Sequence, residues 1–79
     1  MDIISIIVKV KEGFCDALIK VFEDMPHVKV FGIKGNQIVL ILDTDDMHVV
    51  AHKTKDIQEM DGVIGVYPVF SQDFVNHLD

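Results

Sequence analysis

Residues 37–43 read Gln-Ile-Val-Leu-Ile-Leu-Asp, five consecutive apolar residues closed at each end by a polar one. A β-branched and aliphatic run of this length is too short for a helix. It is bounded by Lys34-Gly35-Asn36 before and Asp43-Thr44-Asp45-Asp46 after, the pattern of a central strand apolar on both faces. Alternation assigns Ile38, Leu40 and Leu42 to one side and Gln37, Val39, Ile41 and Asp43 to the other. The first set reads as the core side. The second reads as a half-open surface, and what covers Val39 and Ile41 becomes the functional question.

Ile3 to Val10 alternates with Ile4, Ile6, Val8 and Val10 on one face and Ser5, Ile7 and Lys9 on the other, which predicts a first strand. Glu12-Gly13 opens a helical pattern that places Phe14, Leu18, Val21, Phe22 and Met25 inward, and Pro26 stops it. His27 to Ile33 is a second strand, with Val28 and Val30 alternating against Lys29, Phe31 and Ile33, joined through Lys34-Gly35-Asn36 to the central strand by a hairpin turn. Asp45 or Asp46 caps a second helix, with Met47, Val50, Ile57 and Met60 inward. That helix ends near Asp61-Gly62, and Val63 to Phe70 forms a last strand. Pro68 cannot donate to a ladder and makes it an edge. Residues 71–79 read as a polar C-terminal tail with a weak helical stripe of Phe74, Val75 and Leu78.

The element order is βαββαβ in one domain, residues 1–79. The segment Phe22-Glu23-Asp24-Met25-Pro26-His27-Val28 is echoed 35 residues later by Ile57-Gln58-Glu59-Met60-Asp61-Gly62-Val63. Right-handed crossovers then give an α+β, ferredoxin-like fold: a four-stranded antiparallel sheet of order 4-1-3-2, with two helices on one face. The other face has no helix of its own.

Composition narrows the function. The 79 residues are 49% hydrophobic with a single cysteine, so a packed core rather than disulfides holds the fold. Cys15 falls within the first helical pattern and reads as a small packed hydrophobe. Thirteen acids stand against seven lysines, for a net charge of −6, and there is no arginine. Phosphate recognition relies on clustered Lys and Arg, so nucleic acid is not expected as a partner, whereas an acidic surface attracts a basic peptide. No apolar run reaches the length of a membrane span, and Met-Asp-Ile-Ile lacks a basic leader region, so a cytoplasmic protein is expected.

No catalytic constellation can be assembled. His48 and His52 are spaced i, i+4 on the second helix, a spacing that can serve a metal, but no cysteine or third histidine is near in sequence, and they read as a solvated face. His27 and His77 read as turn and tail residues. The Asp43, Asp45, Asp46 cluster lacks the spacing of a calcium loop and reads mainly as a helix cap. Gly32 and Gly35 are not followed by the Gly-Lys-Ser/Thr of a phosphate loop. The protein is expected to be a binding module, not an enzyme, with no cofactor and no metal.

What remains is the open sheet face, expected to carry Ser5, Ile7, Lys9, Lys29, Phe31, Ile33, Val39, Ile41, Tyr67 and Val69. A contiguous apolar patch of this kind is seldom left in water, so a second copy, the tail or a partner should cover it.

The chain from Ile3 to Phe70 resembles the NapD family, small cytoplasmic chaperones for the catalytic subunit of periplasmic nitrate reductase. The likeness is carried by Ile-Ile-Ser-Ile-Ile-Val at 3–8, Met-Pro-His-Val-Lys-Val at 25–30, Gly-Asn-Gln-Ile-Val-Leu-Ile-Leu-Asp at 35–43 and Met-Asp-Gly-Val-Ile at 60–64. It departs at His27, where the family usually has glycine after the proline, and at Val69-Phe70-Ser71, where an aromatic-histidine ending is usual. The resemblance implies binding of the twin-arginine signal peptide of the nitrate reductase precursor, which holds it back from export until the molybdenum cofactor is loaded. An amphipathic peptide helix would lie on Ile7, Phe31, Val39, Ile41 and Tyr67, as helix-in-groove binders do, with the chaperone a monomer or weak homodimer. The alternative is a stand-alone amino-acid sensor like the ligand-binding domains of Lrp/AsnC regulators or ACT domains, which share βαββαβ. Those usually accompany a DNA-binding or catalytic domain, for which this chain has no room.

Two acidic ends are available to the peptide's arginines. One is Asp2 with Asp73; the other, favoured here, is Asp43, Asp45 and Asp46. Strands one and three are taken as parallel neighbours, which puts Lys9 beside Asp43 and partly neutralises the second group.

Overall fold

The computed structural model describes residues 4–70, with only the backbone of Phe70. The elements are β1 (Ile4–Val10), α1 (Cys15–Glu23), β2 (Val28–Lys34), β3 (Gln37–Leu42), α2 (Met47–Gln58) and β4 (Val63–Phe70). They form a four-stranded sheet of order β2-β3-β1-β4, the ferredoxin-like arrangement the element order implies. The tail at 71–79, with Asp73 and His77, and Asp2 lie outside the described residues.

The core follows from alternation. Ile4, Ile6, Val8 and Val10 of β1 and Ile38, Leu40 and Leu42 of β3 are buried against Leu18 and Phe22 of α1 and Val50 and Ile57 of α2, a single cluster. Both helices therefore lie on one side of the sheet. Among the described residues no polar or charged residue is buried, so the cluster is purely apolar. Cys15 is a free thiol packed at its margin, together with Ile19, Met25 and Met60. Three residues expected inward are exposed instead: Phe14 at 39%, Val21 at 44% and Met47 at 54%. Ile19 fills the place assigned to Val21, because the core-facing stripe of α1 runs through Cys15, Leu18, Ile19 and Phe22.

The sheet is antiparallel throughout, and this corrects the direction assumed for β1 and β3. Ile4 pairs with Leu42, Ile6 with Leu40 and Lys9 with Gln37. The reason is in the element order: a crossover makes β1 and β2 parallel, a hairpin reverses β3, and β3 therefore runs against β1. Lys9 stands at the opposite end of the sheet from Asp43 and cannot neutralise it.

Two bulges re-aim side chains. Val30 pairs with Leu40 and Gly32 with Val39, so Phe31 is the extra residue of β2. Beyond it Ile33 pairs with the core residue Ile38, which moves Ile33 from the open face, where it was expected, to the helix side at the sheet's edge. In β4, Lys9 pairs with Gly65 but Val10 pairs with Val63, leaving Ile64 as the extra residue, 64% exposed. A glycine follows each bulged residue, as isolated strand glycines often do.

The 35-residue echo has a structural basis at two equivalent turns. Met25 N–H donates to Phe22 O and Val28 N–H to Met25 O; at the second turn Met60 N–H donates to Ile57 O and Val63 N–H to Met60 O. Each turn contains one left-handed residue, His27 with φ 64° and Gly62 with φ 89°. A side chain in that region costs about 1–2 kcal/mol, which explains why glycine suits the position and what the histidine gives up. Gly62 has a second constraint, because a Cβ there would collide with the ring of Phe14. In urea titrations, His27→Gly should raise unfolding free energy by up to about 1 kcal/mol, the strain relieved less the greater entropy of the unfolded glycine. Gly62→Ala should lower it by more than that amount. Equal and opposite small effects would mean that Phe14 moves aside freely.

Candidate functional site

The face of the sheet turned away from both helices is the candidate site, and its residues can be placed row by row because directly paired residues point the same way. One row runs Lys29, Ile41, Ser5, Val69 from β2 to β4. The next runs Gly32, Val39, Ile7, Tyr67, and the third Lys34, Gln37, Lys9, Gly65. Phe31 is inserted between the first two rows and is 72% exposed. Of the expected peptide-binding residues, Ile7, Val39, Ile41 and Tyr67 thus share one contiguous patch, with Phe31 at its β2 margin.

Local interactions shape this patch. Ser5 Oγ donates to the carbonyl of Val69 at 3.3 Å, so the one hydroxyl of the first row turns to the β4 backbone. Tyr67 leans along β4: a Cβ at Gly65 would lie 2.6 Å from Tyr67 Oη, so the glycine makes room for the phenol. Lys9 Nζ stands 5.6 Å from the centroid of the Tyr67 ring, a cation–π arrangement that holds the ammonium at the patch border. Ile64, unassigned from sequence, extends the apolar surface at the same end, where it lines a recess with Lys9, Lys34, Gly35 and Gln37. The signal that could have found Ile64 and displaced Ile33 is the isolated glycine inside each strand, at 65 and 32.

The charges are segregated. The three rows carry Lys9, Lys29 and Lys34 and no carboxylate. The acidic cluster lies off one end, where Asp43 N–H donates to His27 O at 2.8 Å just past β3. Because Ile4 pairs with both Leu42 and Phe70, the start of β1 and the ends of β3 and β4 share that end of the sheet. The described backbone thus does not place two acidic ends at opposite poles, and the lysine nearest Asp43 along the face is Lys29, paired with Ile41. Asp46 is engaged: it is the N-cap of α2, its carboxylate accepting from His48 N–H at 2.9 Å, while Thr44 Oγ1 accepts from Asp46 N–H at 3.1 Å. Asp43 and Asp45 are exposed and do not cap α2.

On the helix side the fold does what sequence spacing did not foresee. His27 reaches the same surface recess as His48 and His52, with Val49 and Lys53 completing its lining. Among the described residues no three His, Cys, Asp or Glu side chains are grouped closely enough to hold a metal ion. No described helix is long and apolar enough to cross a membrane.

Compared with known families, the chain matches the family model described as NapD protein over residues 1–73. Comparison with curated proteins and with solved structures returned no match.

The capping role separates Asp46 from its neighbours. Asp46→Ala should lower unfolding free energy by about 1 kcal/mol, as loss of an aspartate cap does, while Asp45→Ala should change it by no more than about 0.5 kcal/mol. Thermal or urea unfolding of the two variants decides this, and equal losses would show that the cap is shared.

Proposed function

The chain belongs to the NapD family, a chaperone family for nitrate reductase maturation, and on that premise we propose that its open sheet face binds the twin-arginine signal peptide of the periplasmic nitrate reductase precursor. Binding in the cytoplasm holds the precursor back from export while its cofactor is loaded. The chaperone is a binder and not a catalyst. It needs neither a cofactor of its own nor nucleic acid, and acts as a monomer or weak homodimer.

The observation that carries this reading is the apolar patch of Ile7, Phe31, Val39, Ile41 and Tyr67, which no described element covers, with Phe31 72% and Tyr67 49% exposed. The way the sheet is finished favours a helical occupant. Its backbone groups are paired across the interior, and its edges carry a bulge at Phe31 on β2 and both a bulge at Ile64 and Pro68 on β4. Such edges discourage an added strand. A peptide lying on the face finds no backbone partners there, and so must satisfy its own N–H and C=O groups by coiling into a helix.

Affinity comes from the apolar contacts, since fully burying one large side chain is worth roughly 1.5–3 kcal/mol before ordering costs. The arginines meet Asp43 and Asp45, with Asp46 adding field while it caps α2. Exposed ion pairs contribute only about 0–1 kcal/mol each, so these carboxylates orient the peptide and speed its approach.

Two neighbouring residues of β3 separate folding from binding. Leu40, fully buried, should cost about 2–5 kcal/mol of stability when changed to alanine. Ile41→Ala, on the opposite face, should cost far less stability and weaken binding of a synthetic twin-arginine peptide measured by calorimetry. Asp43→Asn with Asp45→Asn should flatten the dependence of that binding on salt. A peptide that binds Ile41→Ala as tightly as the parent protein would count against the open face as the site.

A further inference from the structure

The lysines give the open face a direction. Lys9 and Lys34 flank Gln37 in the row farthest from Asp43, and both line the recess closed by Gly35, Asn36 and Ile64, of about 570 Å³, whose lining contains no carboxylate. Lys9 is held at its border by the Tyr67 ring. Four residue steps along β1 or β3 separate this row from the row of Ser5 and Ile41, roughly 13 Å, which about nine residues of helix would span.

We propose that this basic recess receives the C-terminal end of the bound peptide helix, so that the peptide docks in one direction only. The inference rests on the reading of the open face as a signal-peptide site. The last carbonyls of a helix lack partners and carry a partial negative charge, which two ammonium groups complement. The opposite orientation sets the arginines, and the positive end of the helix, against Lys9 and Lys34. Charge complementarity therefore selects the orientation in which the apolar segment starts over Ile41, crosses Val39 and Ile7, and ends beside Gln37. Lys29, on the margin at the other end, is outnumbered there by Asp43 and Asp45.

The test uses the full chain, isotopically labelled, and a synthetic peptide with two adjacent arginines preceding an apolar helical segment, carrying a nitroxide at one end or the other. The C-terminal label should broaden the amide signals of Lys9, Gly35 and Gln37, and the N-terminal label those of Ser5 and Ile41. Reversed broadening, or broadening of both sets by each label, would overturn the proposed direction. Lys9→Gln with Lys34→Gln should weaken binding about two- to fivefold, the scale of a charge at a helix end, and reduce the difference between the two labels. An unchanged affinity and unchanged pattern in that variant would also overturn it, with an unaltered melting curve confirming that the variant is folded. Failure of the parent protein to bind either labelled peptide would instead remove the signal-peptide reading itself.

Discussion

Everything in this fold depends on the helices being able to bury only one face of the sheet. β1 and β3 alternate strictly, so each residue sent into the core sends its neighbour to the other side. Ile6, Val8, Ile38 and Leu40 have no solvent exposure, and their partners in alternation, Ile7, Val39 and Ile41, are just as apolar. A fold that needed only to be stable in water would place polar residues at those positions. Hydrophobic residues on both faces of the two central strands, with both described helices on one face, leave an apolar surface that no described element buries.

The alternation of residues 37–43 made the core side of β3 legible from sequence, and Ile38, Leu40 and Leu42 are all buried. The strand order and the edge position of β4 were legible too, from the element order and Pro68. The running direction of β1 against β3 was equally available, since a crossover followed by a hairpin admits no other, and placing Lys9 beside Asp43 overlooked it. Bulges are harder to see because an inserted residue changes no composition; only Gly32 and Gly65 marked them. The meeting of His27 with His48 and His52 depends on the packing of a turn against α2, which no local pattern encodes.

The family's departure at position 27 also finds its place in the backbone. The turn needs a left-handed residue, as Gly62 supplies in the second half, and His27 adopts it in the first. Stability is given up at a position whose side chain faces the recess with His48 and His52, away from the open face. The charges tell a complementary story: a chain of net charge −6 keeps its carboxylates off the three rows of the open face and allows only lysines there. The proposed attraction of a basic peptide would therefore act at the end of the sheet by Asp43, not across the apolar patch.

The most direct measurement is chemical-shift mapping of the isotopically labelled protein during titration with a twin-arginine signal peptide. Shifts should concentrate at Ile7, Val39, Ile41 and Tyr67, with α1, and α2 beyond its first turn, unmoved. Shifts concentrated on the helices, or along the outer edge of β2 or β4 while the central rows stay unchanged, would contradict the account.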